Sequence, residues 1–354
     1  MPTPPTSGAL GTLLRRSRLA AAYARGSRRQ VPGPLALMVE TTVRCNLRCP
    51  MCPRTGGDYP AADLPDALLW PLLEEHAARG GDHVYLYGLG EPLLDPRIFD
   101  ILRRCRALGL STILSTNGTL LDPPHRRALL DAGCDHLIVS LDAASTETYA
   151  RFRPGGDFDR TVTQVRELAR EKAARNAPTT LVVQFVRLAG NRAEQEAFRA
   201  QWQDVPGIDR VRIKDEDIGL PEHALYAPDG WRRDNPCHLL WRGPLLVRYT
   251  GEVFACYNFA GLGLPLGNLR EQSLGELWDH PELQALRAAH HARAVPQDSV
   301  CGRCPAVRPR LPFILGAILS GGDRSRRLIP VAERLALRLP WLLQEPRRPA
   351  GEPS

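Results

Sequence analysis

Between residues 35 and 214 short apolar runs alternate with amphipathic stretches, and this alternation restricts the possible folds more than any other feature. Strand-like runs stand at 35–42, 83–88, 111–115, 136–142, 180–188 and 211–214. Helical periodicity fills 67–78, 95–108, 123–131, 158–175 and 192–202. Six strands separated by helices predict a parallel sheet, because parallel neighbours need a crossover connection. The expected architecture is α/β, a partial (β/α)6 barrel. Its chemistry belongs at the C-terminal ends of the strands, where the βα loops gather.

The first of those loops carries the run Cys45-Asn46-Leu47-Arg48-Cys49-Pro50-Met51-Cys52. Three thiolates in eight residues can hold three irons of a [4Fe–4S] cluster, thiolate being the soft ligand such clusters select. One iron stays open to an outside ligand, and incomplete protein ligation marks chemistry rather than scaffolding. A second group, Cys237, Cys256, Cys301 and Cys304, lies beyond a Pro-rich linker at 215–236. Four cysteines can close the ligation of one cluster, and a structural zinc site would use the same four. Cys105, within a helical stretch, and Cys134, before a strand, read as core thiols.

Cys45, Cys49 and Cys52, with the strand-end segments that follow them in order, resemble the radical S-adenosylmethionine superfamily. Met51 stands where the family usually has an aromatic residue. The segment Tyr87-Gly88-Leu89-Gly90-Glu91-Pro92 resembles the Gly-Gly-Glu stretch beside the cofactor's methionine, with Leu89 in place of the first glycine. The resemblance implies S-adenosylmethionine contacts at Gly90 and Glu91, and at Ser115 and Asn117 on the third strand end. It implies ribose contacts at Ser140 and Asp142 and a carboxylate partner in Arg153. Asn-Gly and Asp-Ala-Ala-Ser are also ordinary turn and cap sequences. Asn191 and Glu194 share the family look without an assigned role, and Lys214 is a lone lysine at the barrel mouth.

The spacing Cys237-x13-Gly251-x4-Cys256, then Gly267-Asn268-Leu269 and Cys301-x2-Cys304, resembles the SPASM/twitch extension that carries auxiliary iron–sulfur clusters. With no cysteine after Cys304, one auxiliary [4Fe–4S] cluster is the ceiling. The implied organisation is a basic extension at 1–34, a radical core at 35–220, an auxiliary unit at 221–310 and a basic amphipathic helical tail at 311–354.

The net charge of +7 sits at the ends. Residues 1–39 carry six arginines and no acid, and 305–354 carry a net +5, so the body between them is −4. Lys172 and Lys214 are the only lysines among 46 basic residues. Such a distribution does not support nucleic-acid binding, but arginines at 15–29 and 326–338 would suit an anionic membrane surface. No apolar run reaches the roughly 20 residues of a membrane span, and no secretory signal opens the chain. Nine cysteines without an export signal point to metal chemistry in a reducing, cytoplasmic setting.

The resemblance therefore implies an enzyme that reductively cleaves S-adenosylmethionine, takes a hydrogen atom from its substrate, and achieves net oxidation through the auxiliary cluster. An electron donor such as flavodoxin or ferredoxin goes with that chemistry. The 34 residues ahead of the first strand are shorter than a leader-binding domain of peptide maturases. This favours a small-molecule or lipid-linked substrate, with a peptide as the alternative; a non-catalytic iron–sulfur or zinc protein is the reading from another class.

Overall fold

The computed structural model describes residues 9–215, 236–257, 264–304 and 318. The linker at 216–235, the tail beyond 304 apart from Ile318, and the domain boundaries expected near 220 and 310 lie outside them.

All six expected strands form: β1 (Ala36–Val39), β2 (His83–Leu86), β3 (Ser111–Thr116), β4 (His136–Ser140), β5 (Thr180–Arg187) and β6 (Arg210–Asp215). They pair in chain order, each parallel to the next. Register fixes the faces, since side chains alternate across a strand. One row runs Leu86, Leu114, Leu137 and Leu181, all buried under the crossover helices. The opposite face carries Met38, Tyr85, Ile113, Ile138, Ser140, Gln184, Arg212 and Lys214.

The helices follow the expected spans closely: α2 (Asp66–Ala78), α3 (Ile98–Ala107), α4 (Pro123–Ala132), α6 (Phe158–Ala174) and α7 (Gln195–Trp202). Local chemistry sets their ends. Asp122 caps α4 by accepting the His125 N–H, Asp157 caps α6 by accepting that of Arg160, and Gly133 closes α4 at φ 77°. Within the barrel, sequence periodicity misses one helix, α5 (Thr146–Phe152). Two turns are too short to show a period, although the Ser145 cap that starts it is plain.

The C-terminal cysteine unit shares the barrel's sheet. After the short helix α8 (Leu239–Arg242), strand β7 (Leu245–Val247) lies parallel to β1, and β8 (Glu252–Phe254) and β9 (Gly267–Asn268) continue antiparallel. The full order is β6-β5-β4-β3-β2-β1-β7-β8-β9. Leu245, Leu246 and Val247 are all buried by this insertion.

The N-terminal segment packs on that unit. Helix α1 (Ala9–Arg25) buries Leu19, Ala22 and Tyr23, and the Tyr23 ring meets Trp241 edge-on at 5.4 Å. The Trp241 and Trp278 indoles donate to the carbonyls of Ser27 and Val31 at 2.9 and 2.8 Å. The fully buried Arg287 donates to the carbonyls of Leu240 and Arg28 and lies 4.4 Å from the Trp278 ring. Burial pulls its pKa down to about 10. Arg16, inside the basic stretch, is buried in an ion pair with Asp82 at 2.7 Å.

Candidate active site

Beyond Val39 the chain turns into the cysteine loop, and neighbouring strand ends tie it down one by one. The Asn117 side chain donates to Asn46 Oδ1 at 2.9 Å, and Asn46 donates to the Thr119 hydroxyl at 2.7 Å. The Arg48 N–H reaches the Pro154 carbonyl at 3.1 Å. Arg54 donates to the Val43 carbonyl, and the Thr55 hydroxyl donates to that of Cys49. Arg44 grips Asp63 through two bonds, 3.0 and 2.6 Å. The loop that carries the three cysteines is thus held in place by the protein's own hydrogen bonds.

Cys49 is buried, and Cys45 and Cys52 are half-buried. Burial pushes the Cys45 and Cys52 thiols up, and the neighbouring thiols add to the shift while backbone N–H groups of Leu47 and Arg54 offset it. The Cys52 N–H donates to the Cys49 carbonyl at 3.0 Å, closing the turn that carries both thiols. Among the described residues no three His, Cys, Asp or Glu side chains converge as a single ion would require. A cube offers each thiolate a separate iron, so its ligands stand further apart. Soft donors, mutual proximity and a guanidinium at the Cys49 sulfur fit an iron–sulfur cluster.

That guanidinium belongs to Arg153. Its Nη1 lies 3.7 Å from Cys49 Sγ, and its Nη2 pairs with Asp142. Asp142 is fully buried with φ 60°, a left-handed conformation that costs a non-glycine residue energy. The turn is held because Asp142 Oδ1 accepts the Val186 N–H at 2.8 Å and its carbonyl accepts from Asn191. Asn191 also bonds the Val186 carbonyl and the Leu188 N–H. Glu194 caps α5, taking the Ala144 N–H and the Ser145 and Thr148 hydroxyls. Asn191 and Glu194 therefore build the β4–α5 connection that carries Asp142, and Arg153 stands at the far end of α5.

Glu91 is buried at the second strand end. It accepts the Asn117 N–H and the Thr116 hydroxyl, both at 2.7 Å, and the Leu93 N–H at 3.1 Å. Burial raises its pKa, and these three donors oppose the shift. Gly90 is pressed against the cysteine loop: a Cβ there would fall 2.1 Å from the Thr42 carbonyl oxygen. The close approach its missing side chain permits is thus to backbone of this chain. Ser115 is half-buried on the inner face, and Ser140 accepts from Gln184 at 3.0 Å. Gly90, Glu91, Asn117, Asp142 and Arg153 are brought around the cysteine loop. Ser115 and Ser140 sit on the open sheet face beside it.

Sequence reasoning passes over Glu40, the residue after β1. Its side chain is fully buried and binds Leu89 N–H and Arg248 Nε, each at 2.7 Å. An acid directly after an apolar strand is the signal that could have found it.

In the C-terminal unit Cys256 follows β8 by two residues, and Cys301 and Cys304 lie on and at the end of the helix Val300–Arg303. The Cys237 N–H donates to His290 Nδ1 at 3.3 Å. None of the nine cysteines is in a disulfide, and Cys105 and Cys134 are buried with pKa values pushed up by burial to about 12. Inert core thiols behave this way.

The radical SAM superfamily profile matches residues 39–183, and the SPASM iron-sulfur cluster-binding domain matches 237–305. The AdoMet-dependent heme synthase of Methanosarcina barkeri is 37% identical over 71% of this chain and 83% of its own. The PqqA peptide cyclase of Methylobacterium nodulans is 29% identical over 73% and 76%. The structure of Streptococcus suis SuiB bound to precursor peptide SuiA shares the fold: TM-score 0.56 at 17% identity, covering 90% of this chain and 77% of that one. The chain belongs to the radical SAM superfamily and is an enzyme of that class. Its cofactors are a [4Fe–4S] cluster with S-adenosylmethionine and an auxiliary iron–sulfur cluster on the SPASM domain.

Proposed function

We propose that this enzyme oxidises its substrate by two electrons, and that Cys237, Cys256, Cys301 and Cys304 would hold an auxiliary cluster, which would supply a one-electron acceptor. When bound, the reduced cluster and S-adenosylmethionine supply a 5′-deoxyadenosyl radical. The chain's share is placement. Cys45, Cys49 and Cys52 would hold three irons; Arg153, aligned by Asp142, would offer a cation beside them to the cofactor's carboxylate. Gly90, Glu91, Ser115, Asn117 and Ser140 form the surrounding polar rim. The observation that carries this reading is the convergence of three strand ends, those of β2, β3 and β4, on the cysteine loop that follows β1.

A peptide is the substrate class with most support, from the names of the cyclase and of the peptide-bound structure. A small or lipid-linked molecule is the second reading, favoured by the 37% identical heme synthase. It is favoured also by α1, where Leu13 and Leu14 are each 53% exposed and share the outer face with Arg18 and Arg25. Such a face suits an anionic bilayer. Flotation with phosphatidylglycerol vesicles tests that contact, and protein left in the pellet at low salt removes it. No helix among the described residues is long and apolar enough to cross a membrane. A cytoplasmic enzyme reduced by a flavodoxin or ferredoxin completes the proposal.

Anaerobic reconstitution tests the function. Roughly eight irons for two cubes, with 5′-deoxyadenosine formed on adding dithionite and S-adenosylmethionine, is the expected result. Cys45→Ala abolishes cleavage, whereas Cys301→Ala retains part of it. Zinc in place of iron with no cleavage overturns the proposal.

A further inference from the structure

The carboxylate of Glu40 stands where three parts of the molecule meet. Its own strand, β1, leads five residues later to Cys45. Its Oε1 accepts the Leu89 N–H at 2.7 Å, in the middle of the segment Tyr87–Glu91. Its Oε2 accepts from Arg248 Nε at 2.7 Å and from the Tyr249 N–H at 3.3 Å, at the turn between β7 and β8. The Glu40 N–H in turn donates to the Val247 carbonyl.

The fit around it is close. A Cβ on Gly88 would fall 2.8 Å from Glu40 Oε1, so the cofactor-side loop is shaped to the carboxylate. The Glu40 side chain has no exposure and that of Arg248 only 14%. Water cannot replace either partner, and the loss of one leaves a buried charge uncompensated. Leu89 lies between Gly88 and Gly90, both without side chains, and its N–H is the point where that flexible stretch is anchored to β1. On the other side the hairpin runs through β8 directly into Cys256.

We propose that Glu40 is a positioning residue through which the C-terminal cysteine hairpin sets the backbone of the S-adenosylmethionine loop. Arg248 aims the carboxylate, and the carboxylate holds Leu89. The auxiliary unit therefore acts on the cofactor site mechanically, in addition to any electron it carries. This inference rests on the radical enzyme reading only for its second readout.

Arg248 bonds Glu40 and Tyr59 and touches neither residues 87–91 nor the polar rim, so Arg248→Gln is the informative variant, with Arg248→Lys as the charge-keeping control. The first readout is amide hydrogen exchange over residues 87–91 in the reconstituted enzyme without S-adenosylmethionine. Arg248→Gln should speed exchange there about tenfold, and Arg248→Lys should restore much of the protection. The second readout is calorimetric S-adenosylmethionine affinity, about tenfold weaker in Arg248→Gln and in Glu40→Gln, within the usual range of site coupling. The double variant removes both charges and should lose little more than either single one, the mark of residues acting as a pair. It also guards against misfolding caused by a lone buried charge. Unchanged exchange at 87–91 in both Arg248→Gln and the double variant overturns the linkage. A wild-type enzyme that binds no S-adenosylmethionine overturns the functional reading instead, and the exchange result still decides the role of Glu40.

Discussion

Arg153 divides its guanidinium between two acceptors, the Asp142 carboxylate and the sulfur of Cys49. One residue so joins the fourth strand end to the cysteine loop, although 104 positions separate the arginine from the thiol. Asp142 sits in a left-handed backbone conformation that asparagine tolerates and alanine does not. Asp142→Ala should cost about 3–5 kcal/mol, the loss of one partner from a buried pair. Asp142→Asn, which keeps an acceptor for the Val186 N–H, should cost less. Urea unfolding of the two variants checks the order.

Glu91 accepts three hydrogen bonds inside the protein. Glu91→Gln turns an amide N–H₂ toward one of those donors and should cost about 1–3 kcal/mol for the unsatisfied group. It should also weaken S-adenosylmethionine binding, because the segments ending β2 and β3 are fastened to each other through this carboxylate. Calorimetry and thermal melting of the same preparation separate the two effects.

Two glycines make a paired test of steric closeness against backbone strain. An alanine Cβ at position 90 would collide with the Thr42 carbonyl at 2.1 Å, whereas at position 109 it meets nothing within 4 Å but requires φ 74°. Gly109→Ala should cost about 1 kcal/mol, with cleavage of S-adenosylmethionine unchanged. Gly90→Ala should cost about 1–3 kcal/mol from overpacking and abolish cleavage. The yield of 5′-deoxyadenosine distinguishes them.

His76 is fully buried on α2, its Nε2 3.1 Å from the His83 carbonyl, and burial lowers its pKa to about 4. Between that value and the ordinary 6.5 the unfolded chain binds a proton that the folded chain refuses. Stability therefore rises with pH across this window and is lost as pH falls through it, by up to about 3 kcal/mol. His76→Gln should flatten that limb of the stability profile, measured by denaturant unfolding from pH 4 to 7.

The strand order was legible because each of β1 to β6 carries its own apolar run and each crossover its own helical period. The cysteine loop was legible because its ligands are adjacent in sequence. What escaped is long-range or short. Strand β7 has three residues, and nothing in Leu245-Leu246-Val247 says that its neighbour is Leu37-Met38-Val39. The Glu40–Arg248 pair spans 208 positions. The second face of Gly90 is set by the Thr42 carbonyl, a backbone atom invisible to residue type. Asp142 was read as a cofactor contact from its strand-end position, while its bonds to Arg153 and Val186 depend on a fold that no local pattern encodes.

Because β7 lies beside β1, strand β1 leaves the ribosome long before the neighbour that pairs with it. At ordinary synthesis rates of about 5–20 residues per second, its free edge stands open for roughly 10 to 40 s. During that interval an apolar strand edge next to three reactive thiols faces the cell unpaired, a template for wrong partners.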